Sequence, residues 1–225
     1  MDASYTKNTV RSVHRPMPFI PSKTEAISPS ADLACVGERP ILRAMSNLIG
    51  PRMISIEPLT PDAFAPYGTA LGFAARHTPD TAFFSPASDF WHEHGFASGE
   101  TKTEILWVVY RSSDPTIARL EAHLATEQAL IPLTGSIVHI VARSAPDGAP
   151  DPQTVRAFAI APGQGIVMAK DCWHATRVFA GDVTCAMLTR ASTTKDLVAH
   201  LQTGAPLTES RYADIAISIG NGEKR

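Results

Sequence analysis

Glu121 and His123 stand two residues apart, so on a β-strand both side chains point to the same face. Gln128 follows shortly after, and then Gly135. A second stretch, Gly163–His174, reaches another histidine through a glycine-rich turn and the strand-like run Ile166-Val167-Met168. Two hairpins that aim Glu121, His123, Gln128 and His174 at one point would make a small polar site inside an apolar barrel. Such a set can hold a divalent metal or a small polar substrate. Each histidine has a plainer reading as a hydrogen-bonded core or surface residue. Glu121 and Gln128 can equally orient a histidine rather than meet a ligand. Glu127 alternates away from Gln128, so one of the two faces inward, and Gln128 is the expected one. Cys172 reads as a small packing residue, since no base is placed to activate it. His92 and His94, in the polar-aromatic patch Ser88–His94, read as a surface patch or as a lid over a barrel mouth.

The elements that must position these groups are short strands. Met53–Glu57 alternates and reads as the opening strand. Thr60 then caps a short helix with Pro61 at its first position and Asp62 in its first turn, and Gly68 closes it. Thr69–Phe73 is a second strand, and 74–103 is mostly loop. Ile105–Tyr110 reads as a central strand. Thr116–His123 alternates strictly, with Ile117, Arg119, Glu121 and His123 on one face. Further strands are expected at Ala129–Leu133, Ser136–Ala142, Thr154–Ile160, Gly165–Met168, Thr176–Phe179 and Thr184–Thr189. A helix returns only at Lys195–Leu201, capped by Thr193 or Thr194. The spacing indicates an all-β sandwich or barrel.

Composition narrows the class of function. The chain has 225 residues, a net charge of −2 and 19% charged residues, which gives no electrostatic reason to expect nucleic acid or an anionic membrane. Three cysteines without CxxC spacing point to a reduced, cytoplasmic setting rather than a disulfide framework. No apolar run approaches the roughly 18 residues that a membrane span needs. Residues 1–52, broken by six prolines, read as a flexible leader, leaving 53–220 as a single domain.

The spacings resemble the two motifs of the cupin superfamily, G-x5-H-x-H-x(3,4)-E-x6-G and G-x5-P-x-G-x2-H-x3-N. Glu121-x-His123-x4-Gln128-x6-Gly135 follows the first, with Glu for the leading His and Gln for the Glu. Gly163-x5-Ala169-x-Asp171-x2-His174 follows the second, with Ala169 and Asp171 in place of Pro and the middle Gly. Within the superfamily the chain is similar to ureidoglycolate lyase, through ISIEPLTPDAFAPYG, LEAH, QALIPLTG, VRAFAIAPGQG and CWH in that order. The resemblance implies an all-β, cupin-like double-stranded β-helix or jelly-roll barrel with a few short flanking helices, and a cytoplasmic homodimer. It implies cleavage of ureidoglycolate to glyoxylate and urea in allantoin breakdown.

That reaction needs a base for the hydroxyl, an acid for the leaving nitrogen and groups that hold the carboxylate. His123 and His174 suit proton transfer, and Lys170 can pair with the carboxylate as a point charge. Glu121, Gln128 and the barrel-wall aromatic Trp173 are placed with the substrate. For a divalent metal, nickel or similar, the resemblance implies Glu121, His123, Gln128 and His174 as ligands. No nucleotide or redox cofactor is required. Two other readings fit the same residues: a non-catalytic cupin-fold binding or regulatory protein, and another metal-cupin enzyme acting on a small carboxylic acid.

Overall fold

The computed structural model describes residues 51–73, 81–99 and 101–220. Of the expected leader only 51 and 52 fall among them, and the rest lies outside the described residues. The first part of the chain holds β1 (Arg52–Pro58), α1 (Pro61–Phe64), β2 (Gly68–Leu71), β3 (Ala82–Phe84), β4 (Asp89–Trp91), β5 (Thr103–Tyr110) and β6 (Thr116–His123). There follow β7 (Gln128–Pro132), β8 (Ile137–Ala142), β9 (Arg156–Ile160), β10 (Gly165–Met168) and β11 (Trp173–Val178). The last elements are β12 (Val183–Arg190), α2 (Ala191–Thr203) and β13 (Ser210–Gly220). Six strands close a barrel in the order β1-β13-β6-β11-β8-β9, beside a five-stranded sheet β2-β10-β7-β12-β5. The fold is all-β and cupin-like, as the sequence led us to expect.

Two apolar clusters hold the sheets together. One gathers Phe64, Leu130, Ile137, Phe158 and Ile166; the other gathers Ile54, Leu120, Ile140, Ala157 and Trp173. Thr60 caps α1 as expected, its hydroxyl accepting from the Ala63 amide at 3.2 Å. Gly68, however, does not close that helix. Ala65 does, and Gly68 opens β2 with φ 151°, where a Cβ would lie 1.9 Å from the Val167 carbonyl oxygen on β10. Only a residue without a side chain lets the two strands approach there.

Three further expectations are corrected. The stretch expected as loop after β2 contains the β3–β4 hairpin, where Phe83 stacks on Phe90 at 5.4 Å. The strict alternation of β6 is not kept in its burial, since Ile117, Leu120 and Ala122 are all buried; the irregularity in its pairing, between Asp214 and Ile217, lies in β13. Ile117 packs in one cluster with Leu120 and Ala122 rather than with Glu121 and His123. Helix α2 begins at Ala191, with Arg190 at its cap position making no side-chain capping bond. Thr193 sits inside the first turn, and its hydroxyl donates to Glu209 Oε2 at 2.5 Å. The strand β13 was not anticipated, although Ile215, Ile217 and Ile219 alternate within it.

Candidate active site

Three neighbouring strands build the site. His174, the second residue of β11, lies directly across from Glu121 on β6, while His123 at the end of β6 lies across from Ser210 on β13. The His123 and His174 rings are 5.1 Å apart between centroids. One ligand atom from each of Glu121, His123 and His174 falls within 4.8 Å of the others. Both histidines are buried.

Hydrogen bonds fix the way these rings are presented. His174 Nδ1 lies 3.0 Å from the Cys172 carbonyl, which only accepts, so Nδ1 carries the proton. In the neutral ring the lone pair is then on Nε2, which lies 3.4 Å from Glu121 Oε1 and makes no hydrogen bond. His123 Nδ1 meets the Ser210 hydroxyl at 2.9 Å. A bare imidazole nitrogen facing a carboxylate, with a second imidazole beside them, is a donor set that suits a divalent cation. Burial would raise the Glu121 carboxyl, but contact with His174, and the charge either imidazole carries when protonated, outweigh it and hold the group below the ordinary carboxylate value. Burial, helped by His174, pushes His123 down to about 4. Both effects keep electron pairs available near neutral pH.

Gln128 opens β7, is buried, and lines a cavity of about 260 Å³ together with Glu121 and His123. Glu127 turns away, accepting from the Ala97 amide at 2.8 Å and contacting His94 at 3.1 Å. Lys170 and Trp173 are not brought to this group. Lys170 is exposed on the turn before β11 and lines a separate small cavity with Tyr67, Arg143 and Asp171. Trp173 precedes His174 on the same strand and so faces the other way, into the second apolar cluster, with the Arg211 guanidinium 4.7 Å from its ring. Cys172 is buried packing, its thiol pushed up to about 12 chiefly by burial.

Several residues of the site had escaped attention. His139 on β8 is fully buried, stacked 5.7 Å from the His174 ring, with Nδ1 3.0 Å from the Thr176 hydroxyl. Burial holds it well below its ordinary pKa, so it is neutral. Tyr110 lines the cavity, its phenol pushed up by burial and bonded to Thr176. The one signal for His139 was a polar residue inside the run Ile137-Val138-His139-Ile140-Val141.

Comparisons with known proteins bear on the family. The family model described as ureidoglycolate lyase matches residues 51–206. The chain is 32% identical over 130 residues to the ureidoglycolate lyase of Chelativorans sp., covering 55% of this chain and 75% of that protein. It is 30% identical over 125 residues to the ureidoglycolate lyase of Rhodobacter capsulatus, covering 54% and 75%. Among solved structures, a dTDP sugar isomerase from Desulfovibrio desulfuricans G20 is similar with a TM-score of 0.35 and 12% identity, over 59% of this chain and 78% of that one. With a family model spanning more than half of its length, the chain belongs to the ureidoglycolate lyase family.

Proposed function

We propose that this protein is a lyase that cleaves ureidoglycolate to glyoxylate and urea, and that the pocket around Glu121, His123 and His174 is where it does so. The observation that carries the reading is the convergence of these three groups, within 4.8 Å, in a chain of this family. The reaction removes the proton of the carbinol hydroxyl, closes its oxygen to a carbonyl, breaks the carbon–nitrogen bond and returns a proton to the leaving nitrogen. Glu121, held ionised, accepts the hydroxyl proton and delivers it to that nitrogen. His123 and His174 flank the carbinol centre, each ring fixed from behind by Ser210 and by the Cys172 carbonyl. Gln128 offers its amide to the ureido carbonyl. A divalent ion such as nickel, held by Glu121, His123 and His174, would supply a Lewis acid that orients the substrate and lowers the hydroxyl pKa.

The same reading takes the enzyme to be a cytoplasmic homodimer acting in allantoin breakdown. Cys172 and Cys185 are both free and buried, in keeping with a reducing compartment. The test is glyoxylate release from racemic ureidoglycolate by the wild type, His123→Ala and His174→Ala. Loss of a proton-transfer or ligand group should lower turnover by about 10²–10⁴-fold, with folding retained by circular dichroism and bound metal reduced by mass spectrometry. Near-native turnover in either folded variant would sink the assignment.

A further inference from the structure

The cavity beside Glu121 and His123 has two unlike walls. Leu106 and Val108 from β5, Met187 from β12, and Leu197 and Val198 from α2 make one of them aliphatic. No lysine or arginine lines it among the described residues. Ureidoglycolate, with about nine non-hydrogen atoms, carries a carboxylate at one end and a urea at the other, and has no apolar part. A cavity of about 260 Å³ approaches the roughly 300 Å³ at which drug-sized pockets begin. Setting a free urea against an aliphatic wall would strip its amides of water without returning hydrogen bonds.

Hydroxyl groups border that wall, from Tyr110 on β5, Thr189 on β12, and Thr193 and Thr194 on α2. Thr189 is a lining residue 2% exposed, and its buried hydroxyl has no hydrogen-bond partner in the protein. An orphaned buried hydroxyl at a cavity wall calls for a partner from a ligand. A ureido carbonyl or N–H provides one. Leu106, Val108, Met187, Leu197 and Val198 make up the aliphatic part of the lining.

We propose that the substrates this site is shaped for are N-substituted ureidoglycolates, R–NH–CO–NH–CH(OH)–COO⁻, in which R is a short aliphatic group lying along Leu106, Met187 and Leu197. This rests on the lyase reading of Glu121, His123 and His174. The carbinol carbon stays at those three residues, so the substituent belongs on the distal nitrogen, at the other end of the molecule. The chemistry is unchanged and balances. The O–H bond breaks and its electron pair closes the carbonyl of glyoxylate, the carbon–nitrogen pair leaves with nitrogen, and the proton moves from oxygen to nitrogen, releasing R–NH–CO–NH₂.

The experiment compares kcat/KM for ureidoglycolate and its N-methyl, N-propyl and N-benzyl forms with the wild-type enzyme, following glyoxylate. An aliphatic pocket that gains a propyl group should favour that substrate by about tenfold or more. Leu197→Gln should shrink the ratio of propyl to unsubstituted kcat/KM. A propyl compound no better than ureidoglycolate overturns the inference while leaving the lyase reading intact. A preference that survives unchanged in folded Leu197→Gln removes the wall as its cause. If none of the four compounds yields glyoxylate, the lyase reading itself fails and this inference goes with it.

Discussion

Asp171 occupies the left-handed region, with φ 63°, where the corresponding cupin position is glycine. Asp is among the few side chains that tolerate this backbone. Here its carboxylate is used as well, accepting from the Ser144 hydroxyl at 2.9 Å and pairing with Arg211. Its amide donates to the His123 carbonyl at 2.8 Å, so the turn that delivers His174 is tied to the strand that carries His123. Asp171→Leu should therefore lose stability by at least about 1–2 kcal/mol through backbone strain alone. Asp171→Gly should keep the turn and lose only the ion pair and hydroxyl contact. Urea unfolding ranks the two, and a leucine variant as stable as the glycine one would contradict the strained geometry. At this scale the sequence revealed the groups whose spacing is periodic, Glu121, His123 and His174. It misled at Lys170, because a turn residue's direction is set by φ values that spacing does not encode. It hid His139, because a histidine flanked by Ile and Val looks like part of a core strand.

Helix α2 is fastened by one acid outside it and one of its own. The Glu209 carboxylate accepts from the Ser192 hydroxyl at 3.1 Å and from that of Thr193, at the helix start where a negative group is favoured. Asp196 in turn accepts from the amides of Thr208 and Glu209, each at 3.0 Å. Glu209→Ala should loosen the helix that carries Leu197 and Val198. We expect a raised KM with kcat little changed, because the reacting groups sit on β6 and β11; equal losses in both would argue against a purely positioning role. The pairing of Arg156 on β9 with Glu57 on β1 is a second fastening. Its hydrogen bond to Arg156 holds Glu57 below 4.5 in the folded protein despite partial burial. A depressed folded pKa gives stability that is present above the unfolded value near 4.5 and lost as the pH falls through the folded one. Both side chains are about a third exposed, so the effect is worth no more than about 1 kcal/mol. Melting curves from pH 7 to 3 should fall more steeply for wild type than for Arg156→Met; parallel curves would show that the pair contributes nothing. Most strands were legible from alternation and turn residues. β13 was not, because Ser, Asp, Ala and Gly dilute its isoleucines and its partners β1 and β6 are remote in the chain.

Over the whole molecule, β5 is the edge of the five-stranded sheet. Its inner residues line the cavity, and its outer residues Ile105 and Trp107 are 64% and 68% exposed. An unpaired apolar edge invites pairing with a second copy. Trp107→Lys is expected to convert a dimer to a monomer by light scattering at micromolar protein, and a wild type that is already monomeric would dismiss the dimer. The closed barrel has one more consequence, for the order of events during synthesis. Glu121 and His123 are carried by a strand that is wedged between β11 and β13, and β13 also completes the pairing of β1. Among the described strands, the first thus waits for the last. Sheets joined over such sequence distances fold in milliseconds to seconds, and until β13 arrives His123 has no Ser210 behind it. The pocket is therefore a late product of folding, and a nascent chain has no finished place to receive a ligand.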